Sequence, residues 1–134
     1  VGSATSLKAI EQGNQDVDNV VSHMIRNPYL FNLGVVLIEL ALQAPLRSLY
    51  RSSDMINGQY NAISDFLVAS RLSETISSSL GPMYGKIVRK CLNCDFGQGP
   101  NDLGNEKLKA AVYQDVVCEL EKLERGFAML QLGG

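Results

Sequence analysis

The run LFNLGVVLIELAL, from Leu30 to Leu42, narrows the architecture more than any other part of this chain. Only Asn32, Gly34 and Glu39 within it resist burial. A helix that is apolar on nearly every face has no single stripe to bury, so other elements must wrap it. Spanning a bilayer takes roughly 20 such residues, and this run has 13. It is therefore expected to be a buried central helix, with the remaining segments laid around it.

Helical spacing recurs on both sides. Ser3 to Gln12 puts Leu7 and Ile10 on one side, and Gly13-Asn14 stops it. Between Asp16 and Arg26, Val17, Val20, Val21 and Met24 are spaced for one helix face. Asn27-Pro28 breaks the backbone and suits the first turn of the next helix, whose end Pro45 marks. A short helical turn at Leu46 and Leu49 follows, then a turn-rich break from Ser52 to Gly58 containing Asn57-Gly58. From Tyr60 to Ser79 a helix carries Ile63, Phe66, Leu67 and Ala69, and Leu72 and Ile76 continue it across an allowed kink. Pro82 opens the next helix, Met83 to Leu92, with Met83, Ile87, Val88 and Cys91 on its face. Asn93 to Gly104 is rich in loop-forming residues. Asn105 to Leu132 reads as the longest helix, with Leu108, Ala111, Val112, Val116, Leu120, Leu123 and Phe127 inward and Glu119 to Arg125 as a solvated outer face. Nothing alternates with period two. The expected fold is all-α, a compact bundle of five to seven helices around Leu30–Leu42. Residues 1–26 form an N-terminal helical segment and 27–134 the main body of a single globular unit.

Composition agrees. In 134 residues, 46% hydrophobic and 19% charged content describes one ordinary folded domain. The net charge of −2, with basic residues scattered, argues against a nucleic-acid surface. The sequence shows no signal peptide, membrane-spanning stretch or lipidation motif. Three cysteines, an odd number, do not make a secreted disulfide framework. An intracellular, cytoplasmic protein is expected.

Few residues invite chemistry. Cys91 and Cys94 form a Cys-x-x-Cys at the end of a helix, where the dipole opposes a thiolate. Buried structural thiols are the preferred reading. The alternative is a zinc held by Cys91, Cys94, Cys118 and His23, although no second Cys-x-x-Cys or paired histidine motif supports it. His23, the only histidine, has no motif tying it to a nucleophile. Gly97, Gly99 and Gly104 lack the Gly-Lys-Ser/Thr of a phosphate loop. Glu39, inside the apolar run, needs a partner or a cap; Arg71 and Arg89 are the candidate partners. No catalytic residue, cofactor or metal is expected.

The order of helices resembles the helical lower part of the protein-kinase fold. FNLGVVLIEL (Phe31 to Leu40) is similar to the kinase helix running through the large lobe. YGKIVRKCLNCDF (Tyr84 to Phe96) resembles the late kinase helix ending in Cys-Leu, and AVYQDVVCELEKLE the final one. The combination resembles an uncharacterised fungal domain with a degenerate kinase-like C-terminal half, which often accompanies helical cell-death or incompatibility modules. Roughly Leu30 to Leu123 is covered. The departures bear on activity. Where kinases start the central helix with an aspartate, this chain has Tyr29, and GQGPNDLGNEK lacks the arginine that kinases carry before the last helix. The catalytic loop, the glycine-rich loop and the phosphate-binding lysine have no counterpart. Asp95-Phe96-Gly97 spells the kinase magnesium motif but lies far beyond its proper place, and reads as a helix-terminating loop. The resemblance implies a non-catalytic interaction or regulatory module. It would bind a protein partner or a second copy through Val17, Val20, Val21, Met24, Leu46, Leu49 and Tyr50. The alternatives are the C-terminal piece of a phosphotransferase with its catalytic residues upstream, and a small zinc-stabilised domain.

Overall fold

The computed structural model describes residues 24–97, 99 and 101–133. Helix α1 is Pro28–Leu42, α2 is Ala62–Leu80, α3 is Pro82–Asn93 and α4 is Glu106–Val112. A π-helical segment, Tyr113–Cys118, continues α4 without a break into α5, Glu119–Gly133. Among the described residues there are thus four long helical runs, fewer than the five to seven expected, and the all-α class holds. The expected helix at Ser3–Gln12 and most of the one at Asp16–Arg26 lie outside the described residues. No described helix is long and apolar enough to cross a membrane.

Helix starts follow from local chemistry. Asn27 accepts a hydrogen bond from the Leu30 amide at 3.1 Å, with Pro28 in the first turn where its missing N–H costs nothing. Asn61 accepts from the amides of Ile63 and Ser64, and the Ser64 hydroxyl accepts from the Asn61 amide in return. Asn105 caps α4 through the amides of Lys107 and Leu108. Between α1 and α2, short 3-10 turns at Leu46–Leu49 and Ser52–Asp54 lead to a tight turn in which Ile56 and Gln59 exchange backbone hydrogen bonds. Asn57 and Gly58 both have positive φ there, as that turn type demands.

Helix α3, rather than α1, is the element the others share. It packs broadly against both α1 and α2, which meet each other less. Two glycines allow this. Gly34 of α1 faces Leu92 and Cys91, and Gly85 of α3 lies directly on Ser77 of α2. The Tyr84 hydroxyl adds a 2.6 Å hydrogen bond to the Leu37 carbonyl of α1. Ile38, Val68, Ile76, Val88 and Cys91 have no exposed surface and form the centre of the core.

The Leu30–Leu42 helix is not wrapped on all sides. Leu30, Phe31, Gly34, Leu37 and Ile38 are buried, but Tyr29 is 77%, Val36 47% and Leu40 67% exposed. The last helix departs from expectation in a related way. Leu108 and Val116 are buried, and Leu120 and Leu123 are half-buried, whereas Phe127 stands in solvent.

Candidate functional site

The cysteines occupy a structural position. Cys94 is the residue just past α3, in the left-handed conformation, with its amide and that of Asp95 closing onto the carbonyls of Cys91 and Lys90. This is the double closure by which helices commonly end. Burial, with Cys94 alongside, pushes the Cys91 thiol up to about 12. Burial also raises Cys94, a shift that Arg26 opposes and Asp95 reinforces. Both are therefore thiols at neutral pH, while Cys118 in the π segment is half-buried. His23 lies outside the described residues. Among the described residues, no three Cys, His, Asp or Glu side chains converge to hold a metal. Asp95 is exposed and Phe96 buried in the loop that ends α3. Brief alkylation at pH 7.5 is expected to modify Cys118 alone in the native protein and all three cysteines in denaturant, as read by peptide mass. Native labelling of Cys91 would show that its burial is only transient.

Glu39 pairs with neither Arg71 nor Arg89. Its carboxylate accepts from the Leu46 amide at 2.8 Å, capping the turn after α1. Arg71 instead binds Asp54, and Arg89 donates to the Ser77 hydroxyl. The cap on Leu46 carries a correction. That turn folds back on α1 and sends the Leu46 side chain into the core, 6% exposed, so it cannot be a surface contact. Leu49, Tyr50 and Met24 are half-buried against the core. Val17, Val20 and Val21 lie outside the described residues.

Two shallow cavities, of about 340 and 320 Å³, share Arg47 and Asp65 on their walls. The first also has Tyr50 and Tyr60, packed edge to face with ring centres 4.6 Å apart. The second is lined by Phe31, Val35, Pro45 and Leu46 among others. Burial raises Asp65, and Arg47 partly offsets the shift. Among the described residues, no histidine, cysteine or serine nucleophile lies in either wall.

The largest feature that the sequence reading missed is the outer stripe of α1. Tyr29, Val36 and Leu40, with half-buried Leu33 between them, follow the spacing of one helix face. A helix apolar all round gives periodicity nothing to select, so no signal separated this stripe from the buried one at Leu30, Gly34, Leu37 and Ile38. The stripe is largely apolar surface, with the Tyr29 hydroxyl its one polar side-chain group, and can offer shape and burial.

Comparison with curated proteins and with solved structures gives no match. The family model described as a domain of unknown function, DUF7580, matches residues 4–125. That covers nearly the whole chain, including the core of α1 to α3 and the apolar stripe of α1, and the chain belongs to the DUF7580 family.

Proposed function

We propose that this protein is a non-catalytic interaction module built on the helical half of a kinase-like fold, serving fungal cell-death or incompatibility signalling. The observation that carries this reading is the open stripe Tyr29, Val36 and Leu40 on the helix whose other side is core. A body that already has a packed interior and still presents large apolar side chains in a row gains by covering them with a partner or a second copy. The kinase-like pattern of Phe31–Leu40 and Tyr84–Phe96 supports the descent of the body, and the DUF7580 match is compatible with it. No observation among the described residues favours a phosphotransferase fragment or a zinc-held domain.

A photo-crosslinking residue at position 40, in the protein expressed in its own cell type, is expected to give discrete protein adducts. Val36→Glu should abolish them, and the same crosslinker at Ser79 should not produce them. Val36 is half exposed, so its substitution should cost the fold only about 0.5 kcal/mol. Adducts that survive Val36→Glu would remove the α1 stripe from the function.

A further inference from the structure

Arg47 and Asp65 line both shallow cavities, so they mark the boundary that the two recesses share. They come from different elements. Arg47 belongs to the 3-10 turn Leu46–Leu49, which Glu39 ties to the end of α1 through the Leu46 amide. Asp65 sits in the first turn of α2, whose start Asn61 caps. Arg47 is near enough to draw the Asp65 carboxyl downward, yet the two form no ion pair. Among the described residues, neither side chain has a hydrogen-bond partner elsewhere. Burial raises the half-buried Asp65 even against the pull of Arg47, so its ionised form is short of both water and donors. A carboxylate and a guanidinium that share a cavity without meeting leave a space for a molecule that carries both opposite charges.

The rest of the first cavity is aromatic and polar. Tyr50 and Tyr60 stand edge to face, which fixes each ring by the other, and Tyr60 is still 48% exposed, so the pair has ring surface to offer. Asn61 spends its Oδ1 on the amides of Ile63 and Ser64, while its Nδ2 donates to no acceptor among the described residues. It lines the same cavity and can join Arg47 in donating to an anion. The volume of about 340 Å³ lies at the small end of the roughly 300–1,000 Å³ typical of small-molecule sites.

These features narrow the occupant. Arg47 opposes a simple cation, and Asp65 opposes a simple anion. Glu39, on the wall of the neighbouring recess, adds to the exclusion of an acidic side chain. A small zwitterion satisfies both charges at once, and the tyrosine pair favours a ring as its side chain, since aromatic groups gain from edge-to-face and offset contacts beyond their burial. Within a peptide, a residue's backbone carries neither charge, and a chain terminus carries only one. We propose that this cavity binds a free aromatic amino acid, with its ammonium at Asp65, its carboxylate at Arg47 and its ring against Tyr50 and Tyr60. The α1 stripe plays no part in it. Crosslinking through position 40 and binding in this cavity can therefore each fail without the other.

The test follows the amide signals of Arg47, Tyr60 and Ala62 by NMR while L-phenylalanine is added to the full chain. Saturable shifts are expected. The affinity should be about tenfold above that of phenylalaninamide, which lacks the carboxylate, and of N-acetylphenylalanine, which lacks the ammonium. L-Alanine, with the same charges and no ring, should bind about tenfold more weakly than L-phenylalanine. Two variants separate the roles of the charges. Arg47→Met should weaken L-phenylalanine about tenfold and leave phenylalaninamide no weaker, because that compound has no carboxylate to lose a partner. Asp65→Asn should weaken L-phenylalanine by as much and leave N-acetylphenylalanine no weaker. Circular dichroism checks that both keep their fold, and a damaged fold would weaken every compound rather than exchange the selectivity. Absence of saturable shifts with L-phenylalanine would overturn the proposal, as would equal affinity for L-alanine. So would equal affinity for N-acetylphenylalaninamide, which would mean that the cavity takes a side chain of a peptide. Uniform weakening of all compounds in both variants would place the two charges in the fold and not in binding, and would overturn it too.

Discussion

Gly85→Val is expected to destabilise the protein by about 3 kcal/mol, at the upper end of the costs of overpacking, read as a lower urea midpoint with an unchanged slope. A Cβ at this position would fall on the Ser77 hydroxyl, 2.7 Å from the Ser77 Cβ and 2.9 Å from its Cα. The hydroxyl can rotate away, at the loss of its bonds from Arg89 and to the Ser73 carbonyl. The Cα cannot move unless α2 moves. Valine's advantage over glycine in helix propensity, under about 1 kcal/mol, does not offset this. Gly34 provides the contrast. A Cβ there meets Leu92 Cδ2 at 2.8 Å and Cγ at 3.1 Å, the flexible end of a side chain. Gly34→Ala should therefore cost less, and shortening Leu92 in the same protein should recover part of that loss. Ser77→Gly should not rescue Gly85→Val in the same way, because the backbone contact persists. A Gly85→Val midpoint within about 0.5 kcal/mol of the parent would mean that α2 and α3 are not this close in solution.

That hub was only partly legible in the sequence. The prolines at the first turns of α1 and α3 and the Asn57-Gly58 turn are local signals, and the helices expected from them and from apolar spacing start within about two residues of where they lie. Which helix sits between the others is set by long-range fit. Hydrophobicity points to Leu30–Leu42, yet the shared helix is PMYGKIVRKCLN, whose charges Lys86, Arg89 and Lys90 line one side while Gly85, Ile87, Val88, Cys91 and Leu92 are buried. A strong stripe on a modestly apolar helix packs two neighbours, and a helix apolar all round can still leave a side uncovered. The same limit governs the interaction residues. Leu46 looks like a free apolar side chain in the sequence, because nothing nearby reveals that Glu39, seven residues earlier, will cap its amide and turn it inward. The last helix misleads in the same way: the spacing of Leu120, Leu123 and Phe127 reads in the sequence as one inward seam, yet Phe127 is exposed.

Asp54→Ala is expected to cost about 3 kcal/mol, the low end for breaking a buried ion pair. One carboxylate oxygen of Asp54 accepts from the Arg51 amide at 2.6 Å and from Arg71 Nη2 at 3.1 Å. The same Arg71 nitrogen donates to the Leu49 carbonyl at 3.2 Å, so the pair ties α2 to both 3-10 turns that follow α1. The side chains differ in exposure, 9% for Asp54 and 29% for Arg71. Removing the carboxylate leaves the Arg51 amide and a half-covered guanidinium without their acceptor, and the buried Arg71 Nε already has no partner among the described residues. Partial exposure lets Arg71 regain some water, which keeps the cost near the low end. Arg71→Met removes the cation but leaves Asp54 capping its turn, and should cost about 1–2 kcal/mol. Asp54→Asn keeps an acceptor for the Arg51 amide and should fall near about 1 kcal/mol. The order of the three, measured by urea unfolding, decides what the clasp does. Asp54→Ala as the most damaging would show that capping the turn and neutralising Arg71 are both served by one carboxylate. Equal losses for Asp54→Ala and Arg71→Met would place the whole contribution in the ion pair, with the backbone bond to Arg51 adding nothing measurable.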